Sequence, residues 1–115
     1  MNDERRTYNR FEIPLEVTFN VSKGDADHTG FTKNFSRSGL CLESSDAAPV
    51  SGDVIDLNIK HPNDDTYVSA VGDVVWQRKD DEKCLMGIRL LVMDREAKTD
   101  ILNHAYDNWL AAMRS

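Results

Sequence analysis

The sequence predicts an all-β domain followed by one amphipathic α-helix. Three observations carry this. Residues 11–21, Phe-Glu-Ile-Pro-Leu-Glu-Val-Thr-Phe-Asn-Val, are apolar at every odd position and polar or Pro at every even one. That is the period of a half-buried strand. Further short segments of strand composition follow, separated by turn signals. After Asp94 the period changes: Ala97, Ile101, Leu102, Ala105, Tyr106, Trp109, Leu110 and Met113 fall at helical spacing on one broad face. About six short antiparallel strands suggest a small barrel or sandwich, with the helix closing one end or flank. At 115 residues the chain has single-domain length and can bury a core without metals or disulfides.

The elements follow in order. Pro14 falls on the outward phase of the first strand, which fits an edge or a bulge. Residues 22–28 read as a turn or loop. A second strand covers about Thr29 to Phe35. A third covers Gly39 to Glu43, with Leu40 and Leu42 on one face. Residues 44–52, containing Pro49 and Gly52, form a loop. Residues 54–60 alternate again, with Ile55, Leu57 and Ile59 inward, and residues 61–65 turn the chain. Thr66 to Gln77 is a long strand in which Gly72 marks a bulge or a close backbone approach. The charged run from Gln77 to Lys83 reads as a solvated hairpin loop, and Cys84 to Val92 is the last strand. Asp94 is a fitting N-cap for the helix, and Glu96 in its first turn suits the helix dipole. Trp109 lies on the apolar face and reads as core.

Composition excludes several functions. Apolar residues make up 40% and charged residues 30% of the chain, the balance of a soluble globular protein. No stretch approaches the roughly 18 apolar residues of a membrane span, so no membrane insertion is expected. The opening Met1-Asn2-Asp3-Glu4-Arg5-Arg6 has no apolar h-region, so a cytoplasmic protein is expected. Fourteen Lys and Arg stand against twenty Asp and Glu, a net charge of −6. This argues against DNA or RNA as partner, including single strands bound in the manner of an OB-fold, which need a basic groove. A small anion held by a local basic cluster remains compatible. Cys41 and Cys84 have no CxxC spacing and read as reduced, buried thiols. His28, His61 and His104 lack metal-ligand spacing, so no metal is expected. No Ser, His and Asp form a nucleophile context, and the six glycines are scattered. The acidic runs Asp64-Asp65 and Asp80-Asp81-Glu82 are solvated loop charges. The chain therefore reads as a non-enzyme without a cofactor.

Two short segments stand out: Arg5-Arg6-Thr7-Tyr8-Asn9-Arg10, just before the first strand, and Asn34-Phe35-Ser36-Arg37-Ser38-Gly39, joining the second and third. At these residues the chain resembles the PilZ domain family, which carries an RxxxR motif, often RRxxxR, and a [D/N]xSxxG motif. A third likeness is Gly72-Asp73-Val74-Val75-Trp76 followed by Met86-Gly87-Ile88-Arg89-Leu90. It looks like the family's GxVxW strand and its closing GIxF-like strand, with Leu90 in place of the usual Phe. Each motif alone is weak; together, in order and flanking the right strands, they are specific. The resemblance covers about residues 5–91. It implies a six-stranded antiparallel Greek-key-like β-barrel flanked by one helix. The expected organisation is a flexible N-terminal arm over residues 1–10, the barrel over 11–92 and the helix over 94–113.

The resemblance also implies a receptor for cyclic di-GMP, a bacterial second messenger with two phosphates and two guanines. Arginine suits it: the guanidinium fork bonds phosphate oxygens or guanine O6 and N7, and its flat face stacks on a purine. Arg6 and Arg10 match the RxxxR positions. Arg5 is similar to the residue found in members that bind an intercalated ligand dimer. Asn34 and Ser36 look like readers of a guanine edge. A carboxylate at position 34 would accept from both guanine N1–H and N2–H₂, whereas Asn34 offers one acceptor and one donor. Lower affinity than with Asp is expected. The same Asn-x-Ser pattern also forms Asx-type turns, and the two roles can coexist. Gly39 supplies a backbone conformation or a close approach that a Cβ would block. The resemblance places Trp76 near the ligand, because its strand runs beside the motif strand in the family; the alternative reading is a core or barrel-end aromatic. The expected mechanism is ordering of the arm over bound ligand, which changes a contact with an unidentified downstream protein. The alternative is a PilZ-like adaptor of motility, pilus or exopolysaccharide machinery with weak or no nucleotide binding.

Overall fold

A computed structural model describes residues 11–21, 27–45, 51–63 and 65–114. Six strands form β1 (Glu16–Asn20), β2 (His28–Phe35), β3 (Gly39–Ser44), β4 (Val54–Lys60), β5 (Tyr67–Asp80) and β6 (Lys83–Met93), and one helix, α1, spans Arg95–Arg114. The strands close into a barrel in the order β1-β2-β3-β6-β5-β4, every pairing antiparallel, with β4 returning to β1. The inward phase of each strand fills the interior. Val17 and Phe19 of β1, Leu40 and Leu42 of β3, and Ile55, Leu57 and Ile59 of β4 are almost fully buried beside Phe35, Val74, Met86 and Ile88. The alternation in the sequence thus predicts which side chains fill the barrel. Among the described residues, no helix is long and apolar enough to cross a membrane.

The first strand is shorter than its pattern. Residues 12–15 make no ladder, although Ile13 and Leu15 keep the inward phase and are buried. Pro14 lacks an N–H, and the buried Thr32 of β2 takes the place of ladder bonds. Its hydroxyl accepts from Leu15 N at 2.8 Å and donates to the Ile13 carbonyl, while Thr32 N donates to Leu15 O at 2.9 Å. Phe11 then pairs with Phe35 through two reciprocal backbone hydrogen bonds of 2.9 Å.

The 77–83 segment is not a loop. β5 runs to Asp80 and β6 starts at Lys83, leaving a two-residue turn in which Asp81 has a φ of 60°. Every residue from 75 to 83 is exposed, whereas residues 84–88 of β6, which pair with β3 on their other side, are buried. The end of β5 has no interior phase to fill, and the charge that suggested a loop is what a strand exposed on both faces carries. Gly72 stands at a register shift between β5 and β6, as a bulge would require.

Asp94 caps α1, its carboxylate accepting from Ala97 N at 2.9 Å. Ile101, Leu102 and Ala105 join the barrel core, but Tyr106, Trp109 and Met113 are exposed. Trp109 is therefore not core. It joins an edge cluster, with ring centroids 5.7 Å from Tyr106 and 6.4 Å from Phe11. Helical spacing reports which face is apolar, not how far the barrel extends beneath it.

Candidate ligand-binding site

The β2–β3 connection is organised by Ser36. Its backbone N donates to Gly39 O at 2.8 Å. Its hydroxyl donates to the same carbonyl at 3.1 Å and accepts from Gly39 N at 3.3 Å. Ser36 is 1% exposed, so its hydroxyl shapes the turn from within. The turn is tied outward at two points. Leu90 N donates to Ser38 O, and Lys98 Nζ of α1 donates to Arg37 O, both at 2.9 Å. Burial, then the nearby Arg37 and Arg95, push the Lys98 ammonium below its usual pKa.

Four strands carry a row of cross-strand neighbours: Asn34 pairs with Cys41, Cys41 with Gly87, and Gly87 with Trp76. Gly87 matters here for its missing side chain. A Cβ at this position would collide with the Trp76 indole, so the ring lies across the Gly87 backbone. A second row, Gly39–Arg89–Asp73, runs beside it. A Cβ on Gly39 would strike the Ile88 carbonyl, so β3 and β6 approach closely only because residue 39 is glycine.

Together these rows floor an open cleft of about 400 Å³ lined by Asn34, Ser38, Gly39, Leu40, Cys41, Val75, Trp76, Gly87, Ile88 and Arg89. Of the residues that the sequence singles out, Asn34, Gly39 and Trp76 therefore meet in one place. Ser36 lies beneath it as a support. Arg5, Arg6 and Arg10, with the whole 1–10 segment, lie outside the described residues. Phe11, which follows Arg10, is bonded to Phe35, the neighbour of Asn34. A larger hollow of about 530 Å³ between residues 13–16, the β4–β5 turn and His104 touches none of the motif residues that the structure describes.

Sequence reasoning missed Arg89. Its Nε and Nη2 donate to the two carboxylate oxygens of Asp73 at 3.1 and 2.7 Å. Hydrogen bonding and charge from Arg89 hold the Asp73 carboxyl below its usual pKa, and Asp73 raises that of Arg89. The available signal was phase: with Ile88 inward, Arg89 faces out, next to the motif glycine. Cys41 is only half-buried and lines the cleft, unlike the buried Cys84.

The family model for the PilZ domain matches residues 4–107. No curated protein matches the sequence. Solved structures that share the fold include the following three. Bacillus subtilis MotI/DgrA, an inhibitor of motility, aligns with a TM-score of 0.77 and 20% identity, over 93% of this chain and 52% of that one. MrkH of K. pneumonia aligns at 0.68 and 14%, over 95% and 50%. The PilZ domain of CeSA from a cellulose synthesizing bacterium aligns at 0.60 and 13%, over 86% and 96%. The chain thus spans about half the length of MotI/DgrA and of MrkH. A closed six-stranded barrel with a C-terminal helix, both motifs in order and a family match over nearly the whole chain lead to one conclusion: this chain belongs to the PilZ domain family, whose members are cyclic di-GMP receptors and adaptors, generally non-catalytic.

Proposed function

We propose that this chain is a non-catalytic cyclic di-GMP receptor that passes its signal to a protein partner. The observation that carries the reading is the shared cleft: Asn34, Gly39 and Trp76 line it together, beside the point where Phe11 anchors the segment bearing Arg5, Arg6 and Arg10. Asn34 reads a guanine edge, Trp76 supplies an aromatic surface, and Ser36 and Gly39 hold the loop in shape. The arginines clamp phosphate and guanine as residues 1–10 close over the ligand. Arg5 stacks on a second guanine, giving an intercalated dimer.

Calorimetry on the purified chain tests this. Cyclic di-GMP should bind with two molecules per chain, Arg6→Ala should lose most of the affinity, and Asn34→Asp should tighten binding. Backbone amides of residues 4–10 should gain protection from exchange with ligand. No heat at tens of micromolar ligand would overturn the receptor reading and leave the chain as an adaptor for motility, pilus or polysaccharide machinery.

A further inference from the structure

We propose that Arg89 is a further ligand-binding residue, reading the O6/N7 edge of a guanine, with Asp73 as its positioning residue. This rests on the cyclic di-GMP reading and adds a contact that neither motif supplies. Arg89 is the one charged side chain among the described residues lining the cleft. It sits mid-row, with Asp73 as its cross-strand partner on β5 and Gly39 as its partner on β3. Gly39 has no side chain, so nothing from that residue covers Arg89 on the loop side.

The guanidinium carries five N–H donors. Asp73 takes one edge of it, through Nε and Nη2. The other edge, one N–H on each Nη, keeps the fork that matches two adjacent acceptors. Both guanine O6/N7 and a phosphate offer such acceptors. The bound carboxylate decides between them. It offsets the charge that would attract a phosphate and leaves the directional fork, while fixing the plane of the group. An ion-paired arginine of this kind is a shape reader rather than a counter-ion. Adenine presents an N6 donor where guanine has O6, so the same fork rejects it.

The test is calorimetry on the full chain with cyclic di-GMP and cyclic di-AMP, for wild type, Arg89→Ala, Arg89→Lys and Asp73→Asn. Thermal melts confirm that each variant is folded. Wild type should prefer cyclic di-GMP. Arg89→Ala should weaken cyclic di-GMP binding by about tenfold or more, the loss of charge-assisted hydrogen bonds, and narrow the preference over cyclic di-AMP. Arg89→Lys should be as weak as Arg89→Ala, because lysine keeps charge without a fork. Asp73→Asn should weaken binding by less, since Asn holds one of the two N–H groups. Unchanged binding in Arg89→Ala would overturn the inference while leaving the receptor reading intact. Rescue by Arg89→Lys would overturn the guanine assignment in favour of phosphate, and tighter binding by Asp73→Asn would overturn the positioning role of Asp73. Absence of binding by wild type would overturn both readings together.

Discussion

Adding one methyl group at each of two glycines should give very different results, and the difference tests how the cleft is built. At Gly39 the atoms nearest a new Cβ are all backbone: the Ile88 carbonyl oxygen in severe overlap, the Ile88 carbonyl carbon at 3.3 Å and Arg89 Cα at 3.4 Å. Backbone cannot swing away, so β3 and β6 must part at this rung. Parting weakens the Leu90–Ser38 hydrogen bond and the Ser36–Gly39 pair. Two weakened bonds at about 1 kcal/mol each, with about 1–3 kcal/mol of overpacking, give a loss of about 3–5 kcal/mol for Gly39→Ala. At Gly87 all three nearest atoms belong to the Trp76 indole. That ring is 42% exposed and can rotate into water, so Gly87→Ala should cost about 1 kcal/mol, the low end of the usual overpacking range. Urea unfolding followed by circular dichroism measures both. Trp76 emission in a Trp109→Phe background should change in Gly87→Ala, and ligand affinity should fall as the ring leaves the cleft. A Gly39→Ala variant within about 1 kcal/mol of wild type, or a Gly87→Ala variant more damaged than Gly39→Ala, would refute the packing argument.

Thr32→Val should cost about 2–4 kcal/mol, because a buried N–H on Leu15 and the Ile13 carbonyl both lose their partner; hydrogen exchange at Leu15 should accelerate with it. Asp94→Ala removes the helix cap and should cost about 1 kcal/mol, read as a lower melting temperature with the barrel retained. The hydrogen bond from Arg89 holds the Asp73 carboxyl below the ordinary carboxylate pKa, so its contribution to stability is fully present above that ordinary value and is lost as pH falls through the lower folded-state one. Wild type should therefore exceed Asp73→Asn in urea midpoint at neutral pH, with the gap closing on strong acidification. A gap that persists there would place the effect in packing rather than charge.

Much of the barrel was legible because one-sided burial writes a period of two into a strand. Ile55, Leu57 and Ile59 read inward and are inward. The pattern fails where hydrogen bonding departs from burial. Residues 12–15 keep the inward phase while their ladder is replaced by one threonine side chain. The end of β5 defeats it differently, since residues 75–80 are exposed on both faces and have no phase at all. Trp109 shows that a helix can outrun its support. In the candidate site, Asn34, Gly39 and Trp76 were identifiable through local motifs. Arg89 was not, because its relevance comes from cross-strand partners sixteen and fifty residues away in sequence, Asp73 and Gly39.

The pairing of Phe11 with Phe35 has a kinetic consequence. Two hydrogen bonds fix the root of the leading segment one residue from Asn34. Under the proposed function, with a nucleotide on the floor, capture by the side chains of that segment would be a unimolecular event. Short tethers give effective concentrations on the order of millimolar, and each doubling of tether length costs only about 0.6 kcal/mol. Residence time of the nucleotide, more than its rate of arrival, would then be the quantity that this anchor sets.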